Sequence, residues 1–166
     1  NIAFLPKQVK LFADGAIYSQ LMQLKDGYTD GHDGQWMTPP DLLNRQIRQY
    51  WGAGYRIHVH ANGDAGIQQA LDDLAEANKA NPRSGHRFTL HHMGYFSDAQ
   101  AQQLADLGVE ASVNPYYLWA LAVKYAEFGL GKERAENLVR IGSLTDRNVP
   151  VSFHSDFSMA PMEPLT

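Results

Sequence analysis

Four side chains that can hold a cation stand where short apolar runs end. They are Lys10 in Val9-Lys10-Leu11-Phe12, His60 in Ile57-His58-Val59-His60, His92 in Phe88-Thr89-Leu90-His91-His92, and Asp156 just after Val151-Ser152-Phe153-His154. From His60 to His92 is 32 residues and from His92 to Asp156 is 64, which is one and then two repeats of a βα unit of roughly 30 residues. Imidazole and carboxylate together suit a hard or borderline divalent cation, and a carboxylate beside such a cation can also take a proton from water. The chemistry this points to is a bound cation whose water can lose a proton to the carboxylate.

Each residue also has a plainer reading. His58 and His60 lie two apart on a strand and therefore share a face; they are either ligands or a buried, hydrogen-bonded pair. His91 and His92 are adjacent, so the pleat sends them to opposite faces and at most one is expected at a shared site. An Asp after a strand, as in His154-Ser155-Asp156, often starts a turn. Lys10 sits between apolar neighbours, which predicts burial and a lowered pKa. A neutral amine can take up carbon dioxide, and the resulting carbamate offers two oxygens able to bridge two cations.

Strands must bring these residues together. The reading places strands at about 8–13, 55–60, 88–92, 109–113 and 151–154, separated by helices at about 39–53, 65–80, 98–107 and, with a break near Gly129-Leu130-Gly131, 116–147. Thr38 with Asp41 and Ser97 with Gln100 have the spacing of capping boxes, Asp64 is placed to cap the second helix, and Gly54 and Gly108 are stop signals. The polar stretch between Asp14 and Met37 is long enough to be a lid, a binding loop or a mobile segment. Strands alternating with helices predict an α/β fold with parallel pairing. In a (β/α)₈ barrel the strand C-termini converge on one face, so distant residues meet there. Tyr116, Tyr117 and Trp119 follow the fourth of these strands and could line an apolar pocket or join the core.

The 166 residues carry a net charge of -4, with 44% hydrophobic and 19% charged residues and no cysteine. This is the balance of a globular domain with a sizeable core. Scattered basic residues leave no footprint for nucleic acid, and no apolar run approaches the roughly 20 residues that span a bilayer. A small-molecule substrate and a cytoplasmic location are the expectations. Without thiolates, any metal is held by His, carboxylate or modified lysine.

Val9 through Gly15, His60-Ala61-Asn62-Gly63-Asp64, Arg87 through His92, Leu107-Gly108-Val109, and Pro150 through Asp156 with Pro161 resemble the amidohydrolase superfamily, amidohydrolase 3 branch, which includes proteins similar to N-substituted formamide deformylases. The resemblance runs in order over nearly the whole chain. It implies a single partial domain over residues 1–166, the C-terminal portion (about strands 4 to 8) of a (β/α)₈ barrel. It also implies one or two divalent metals, expected to be zinc. Lys10, carboxylated, would end strand 4, His60 and His92 would be ligands from strands 5 and 6, and Asp156 would be ligand and general base after strand 8. Asp64, His58 and His91 would support the ligands from behind. The first-strand His-X-His pair of the family has no counterpart before Lys10, and His91 stands where many relatives have glutamate. Hydrolysis of an amide, formamide or cyclic amide is the implied reaction. Two other readings stay open: an incomplete barrel whose open edges pair with a second copy, and a metal or ligand binder without catalysis.

Overall fold

The computed structural model describes residues 6–164. Five strands, β1 (Gln8–Phe12), β2 (Arg56–Ala61), β3 (Thr89–His92), β4 (Glu110–Val113) and β5 (Val151–Phe153), form one sheet in the order of the sequence. Every neighbouring pair is parallel, with Lys10 opposite His58, His60 opposite His91, His91 opposite Ser112 and Ser112 opposite Ser152. Sequential parallel order with a helix in each long crossover is the plan of an arc of a (β/α)₈ barrel.

Period-two alternation splits the strands into two faces. Leu11, Ile57, Val59, Ala61, Leu90, Ala111 and Val113 are buried on one. They join Leu43, Ile47 and Trp51 of α1 (Pro40–Gly52), Ile67, Leu71 and Leu74 of α2 (Asp64–Ala80), and Ala101 and Leu104 of α3 (Asp98–Leu107) in a single core. Lys10, His58, His60, His91 and Ser112 alternate with these apolar residues and lie on the opposite face. Beyond β4 the chain forms α4 (Tyr116–Glu127), then two short helices, α5 (Lys132–Glu136) and α6 (Ile141–Thr145), so the expected helical stretch is broken into three at Gly129–Gly131 and again near Arg140.

Three expectations about local signals meet different outcomes. Ser97 and Gln100 make the full reciprocal capping box of α3, and Gly108 ends that helix at φ 68°. Thr38 does not cap α1: Pro39 holds that position without a side-chain bond, and Pro40 opens the helix. Asp64 does not cap α2 either, because Gly63 occupies the cap and Asp64 is the first helical residue.

The stretch after Asp14 packs against the body of the domain. Ile17, Met22, Leu24 and Tyr28 are buried in the common core, and Tyr28 accepts the Met22 N–H through its hydroxyl at 2.9 Å. Gln23 lends its carbonyl to the N–H groups of Ala65 and Gly66 at 3.0 and 3.4 Å, occupying the place beside the α2 N-terminus that a side-chain cap would otherwise take. Spaced apolar residues inside a polar sequence are enough to dock a loop that lacks periodic structure.

Candidate metal centre

The C-terminal ends of β1, β2, β3 and β5 bring the sequence-derived residues to one end of the sheet. His60 and His92 have ring centroids 4.3 Å apart, and His92 and His154 are 4.9 Å apart. His92, His154 and Asp156 each offer a donor atom within 4.8 Å of the others, a grouping suited to a metal ion. Lys10 and Asp156 interact electrostatically, Asp156 favouring the charged amine.

His91 and His92 both reach this end, against the expectation that the pleat would separate them. His91 follows the pleat: it lies opposite His60, with its Nε2 3.0 Å from Nδ1 of His58. His92 leaves it. Its φ is 78°, and Met93 after it has φ 49°, so the left-handed backbone swings the ring back toward His60 and His154. Asp156 is turned in the same way, at φ 55°. Such conformations are uncommon for residues other than glycine and store of order 1–3 kcal/mol each.

Each imidazole is oriented by its other nitrogen. Nδ1 of His92 meets the hydroxyl of Tyr117 at 3.1 Å, and Nε2 of His154 meets the Ser112 carbonyl at 3.2 Å. Nε2 of His60 lies 3.1 Å from the Asn62 amide, whose nitrogen donates to the Gly15 carbonyl at 3.2 Å. Ligating histidines characteristically have one nitrogen held this way, leaving the other free for the cation. The donor set therefore fits a borderline divalent ion.

Desolvation is the leading cause of each histidine shift and keeps the rings neutral. It lowers His60 to about 4 and His91 to about 3, and pushes His58, His92 and His154 downward as well. The same effect lowers Lys10 to about 8, partly opposed by Asp156. Lys10 is nonetheless an exposed residue. It lies on the edge strand of the sheet, so the expected burial is not met, although the surrounding protein still lowers its pKa. Neutral imidazoles and a readily deprotonated amine are the forms that bind metal.

Behind the ligands sits Asp14, fully buried. Its carboxylate accepts the N–H groups of Gln23, Asn62 and Gly63, each at 2.8 Å. Burial pushes this carboxyl up to about 7, against the three donors that favour its ionised form. Asp14 thus holds the end of β2 to the loop after β1, and through Asn62 it steadies His60. Asp64 serves the same junction from outside, accepting the Lys25 N–H at 3.0 Å and, through its carbonyl, the Gln100 amide at 2.6 Å. Of the three aromatics after β4, Tyr117 is buried against His92, Tyr116 donates to the Glu163 carbonyl at 2.8 Å, and Trp119 is 82% exposed. His154 and Tyr117 are the site residues that sequence reasoning left out of the ligand environment. The His-X-Asp spacing at a strand end marked His154, whereas Tyr117 was marked only as a pocket or core aromatic and not as a partner of His92.

The amidohydrolase family model matches residues 3–166. The chain belongs to the amidohydrolase family, in its amidohydrolase 3 branch. YtcJ of Bacillus subtilis (strain 168), named only provisionally as an amidohydrolase, is 25% identical over 95% of this chain and 29% of its own length. Protein LONG AFTER FAR-RED 3 of Arabidopsis thaliana is 28% identical over 95% of this chain and 27% of its own. The crystal structure of an uncharacterized metal-dependent hydrolase from Pyrococcus furiosus superposes with a TM-score of 0.81 at 26% identity, covering 95% of this chain and 32% of that one. The chain thus spans under a third of the length of these relatives, and the Pyrococcus furiosus structure shares its fold over the arc that carries the strand ends described above. Among the described residues no helix is long and apolar enough to cross a membrane.

Proposed function

We propose that this chain supplies the strand 4 to strand 8 side of the active site of a metal-dependent hydrolase that cleaves the C–N bond of an amide, formamide or cyclic amide. One observation carries the reading: His60, His92, His154 and Asp156, from three different strands, converge at one end of a parallel sheet with their imidazoles held neutral. Lys10, His60, His92 and Asp156 are assigned to the cation, with zinc as the expected ion. When bound, such an ion polarises a carbonyl and makes water acidic near neutral pH.

Asp156 takes the proton from the attacking water and returns it to the leaving nitrogen, as a positioned carboxylate can in general acid–base catalysis. Tyr117 and Ser112 fix the rings of His92 and His154 so that neither has to reorganise when the ligand arrives. Lys10, with its pKa near 8, spends part of its time as a neutral amine at pH 7, the form that takes up carbon dioxide. His58, paired to His91, stands beside Lys10 in the sheet register, one layer before His60.

The test is hydrolysis of a panel of N-substituted formamides and cyclic amides by zinc-supplemented protein, read as amine release. Asp156→Asn is expected to lower kcat by 10²-fold or more, with zinc affinity measured alongside because the same carboxylate is assigned to the cation. A panel with no turnover, or unchanged turnover in Asp156→Asn, counts against the proposal. Exposed apolar groups along the site end, Phe12 on β1 and Phe153 on β5 among them, also favour association with a second copy through the open sheet edges.

A further inference from the structure

A cleft of about 550 Å³ lies between the turn that follows β1 and the helix α4. Tyr18 and Gln20 of the turn line one side, and Leu121 and Phe128 of the α4 region line the other. We propose that this cleft is a subsite for the neutral apolar substituent, alkyl or aryl, of an amide ligand whose amide group faces the metal centre, with Tyr18 as the residue that joins the two. The inference rests on the hydrolase reading above and adds a specificity site to it.

Tyr18 stands on a single turn of 3₁₀ helix (Ile17–Ser19) and is half-buried. Its ring meets that of Tyr117 edge-on, with centroids 5.5 Å apart, and the Tyr117 hydroxyl in turn meets Nδ1 of His92. Desolvation, and after it the charge of Asp156, pushes the Tyr18 phenol upward in pKa, so its hydroxyl lies within electrostatic reach of that carboxylate. Among the described residues this hydroxyl has no hydrogen-bond partner. It is free to donate to a ligand, while the ring belongs to the cleft. A side chain with an apolar body and a polar tip suits the boundary between an apolar subsite and a polar centre.

Ligand sites are usually formed before the ligand arrives, and the two sides of this cleft are tied together. The Tyr125 hydroxyl donates to the Ile17 carbonyl. The Thr29 N–H donates to the Gly129 carbonyl at 2.8 Å, the Gly129 N–H donates to the Thr29 hydroxyl at 3.1 Å, and Arg134 donates to the Gly27 carbonyl at 2.7 Å. The nature of the occupant follows from the lining. Leu121 and the rings of Tyr18 and Phe128 present carbon, and Phe128 is 68% exposed, which is apolar surface that a ligand would remove from water. Lys124 and Glu127 line the same cleft with opposite charges, so no net charge recruits an ionic group. The volume lies within the roughly 300–1,000 Å³ of ligand pockets and suits a chain or ring of several carbons.

The test compares N-hexylformamide with N-methylformamide on zinc-supplemented protein, two compounds that differ only in the length of the apolar substituent. Wild type is expected to favour the hexyl compound in kcat/KM by about tenfold or more, since a single methylene in an apolar pocket is worth about that much. Phe128→Ala, at a largely exposed position, and Tyr18→Ala are each expected to lower this preference by about fivefold or more, chiefly through KM of the hexyl compound. Tyr18→Phe, which keeps the ring, should hold the preference within about twofold. The methyl signals of Leu121 give a readout that needs neither turnover nor a variant: they should shift on titrating N-hexylformamide. A preference untouched by both alanine variants, a Tyr18→Phe loss as large as that of Tyr18→Ala, or unmoved Leu121 methyls would each overturn the subsite. Turnover of both compounds with equal kcat/KM would sink the subsite and leave the hydrolase reading standing. Leu121 shifts with no turnover of either compound would keep the cleft as a ligand site and sink the hydrolase reading.

Discussion

Five histidines share one face or one end of the sheet, and burial lowers the pKa of all of them: His58, His60, His91, His92 and His154. A base whose folded pKa lies below its unfolded value of 6.5 binds fewer protons folded than unfolded, so stability is lost as pH falls through that window. For His60 the window runs from 6.5 to about 4, and for His91 from 6.5 to about 3. Each contributes up to about 1.4 kcal/mol per pH unit, less where its ring keeps water contact. Asp14 acts in the opposite direction. Its folded pKa is raised from 3.8 to about 7, so its contribution is lost as pH rises through 7. Several imidazoles outweigh one carboxyl, and the metal-free chain is expected to lose stability steadily from pH 7 to pH 5. Urea midpoints measured across that range check this, and a flat or rising midpoint toward pH 5 would show that the rings are solvated.

Among the elements, the turn from β2 into α2 is held by the buried Asp14 carboxylate, and two substitutions separate its packing from ordinary capping. A Cβ on Gly66 would lie 2.7 Å from the carboxyl carbon of Asp14, which is itself fixed by three N–H donors. Gly66→Ala is therefore expected to cost about 1–3 kcal/mol as overpacking, despite alanine's better helix propensity. Ser97→Ala removes one half of the α3 capping box and should cost about 1 kcal/mol. Chemical denaturation of both variants would show whether Gly66→Ala is the more damaging. If it matches or exceeds wild-type stability, the Asp14 junction is looser than its hydrogen bonds imply. The α3 box was legible in the sequence because both of its partners lie within four residues. The α2 cap was not, because the carbonyl that occupies it comes from Gln23, about forty positions earlier.

At the scale of the molecule, a site assembled from separate strands couples cation binding to folding. Zinc held at 100 times its Kd is expected to raise the unfolding free energy by about 2.7 kcal/mol, seen as a higher melting temperature that chelator reverses. A melting temperature indifferent to both zinc and chelator would mean that the strand ends do not act as one site in the folded chain. The sequence by itself determined the strand and helix alternation, the family, and the strand ends at which the cation-binding residues stand, because period-two and helical patterns and the βα spacing are local properties of the chain. It also marked the packed turn His60-Ala61-Asn62-Gly63-Asp64. Only the tertiary structure decided which of those residues meet. The left-handed backbone at His92 and Asp156 overrides the pleat, the Ser112 carbonyl and Tyr117 hydroxyl that orient the rings come from β4 and α4, and the polar loop after β1 packs through Ile17 and Met22. Each of these depends on contacts between positions far apart in the chain, and strand periodicity carries no record of where a backbone will turn out of its own pleat.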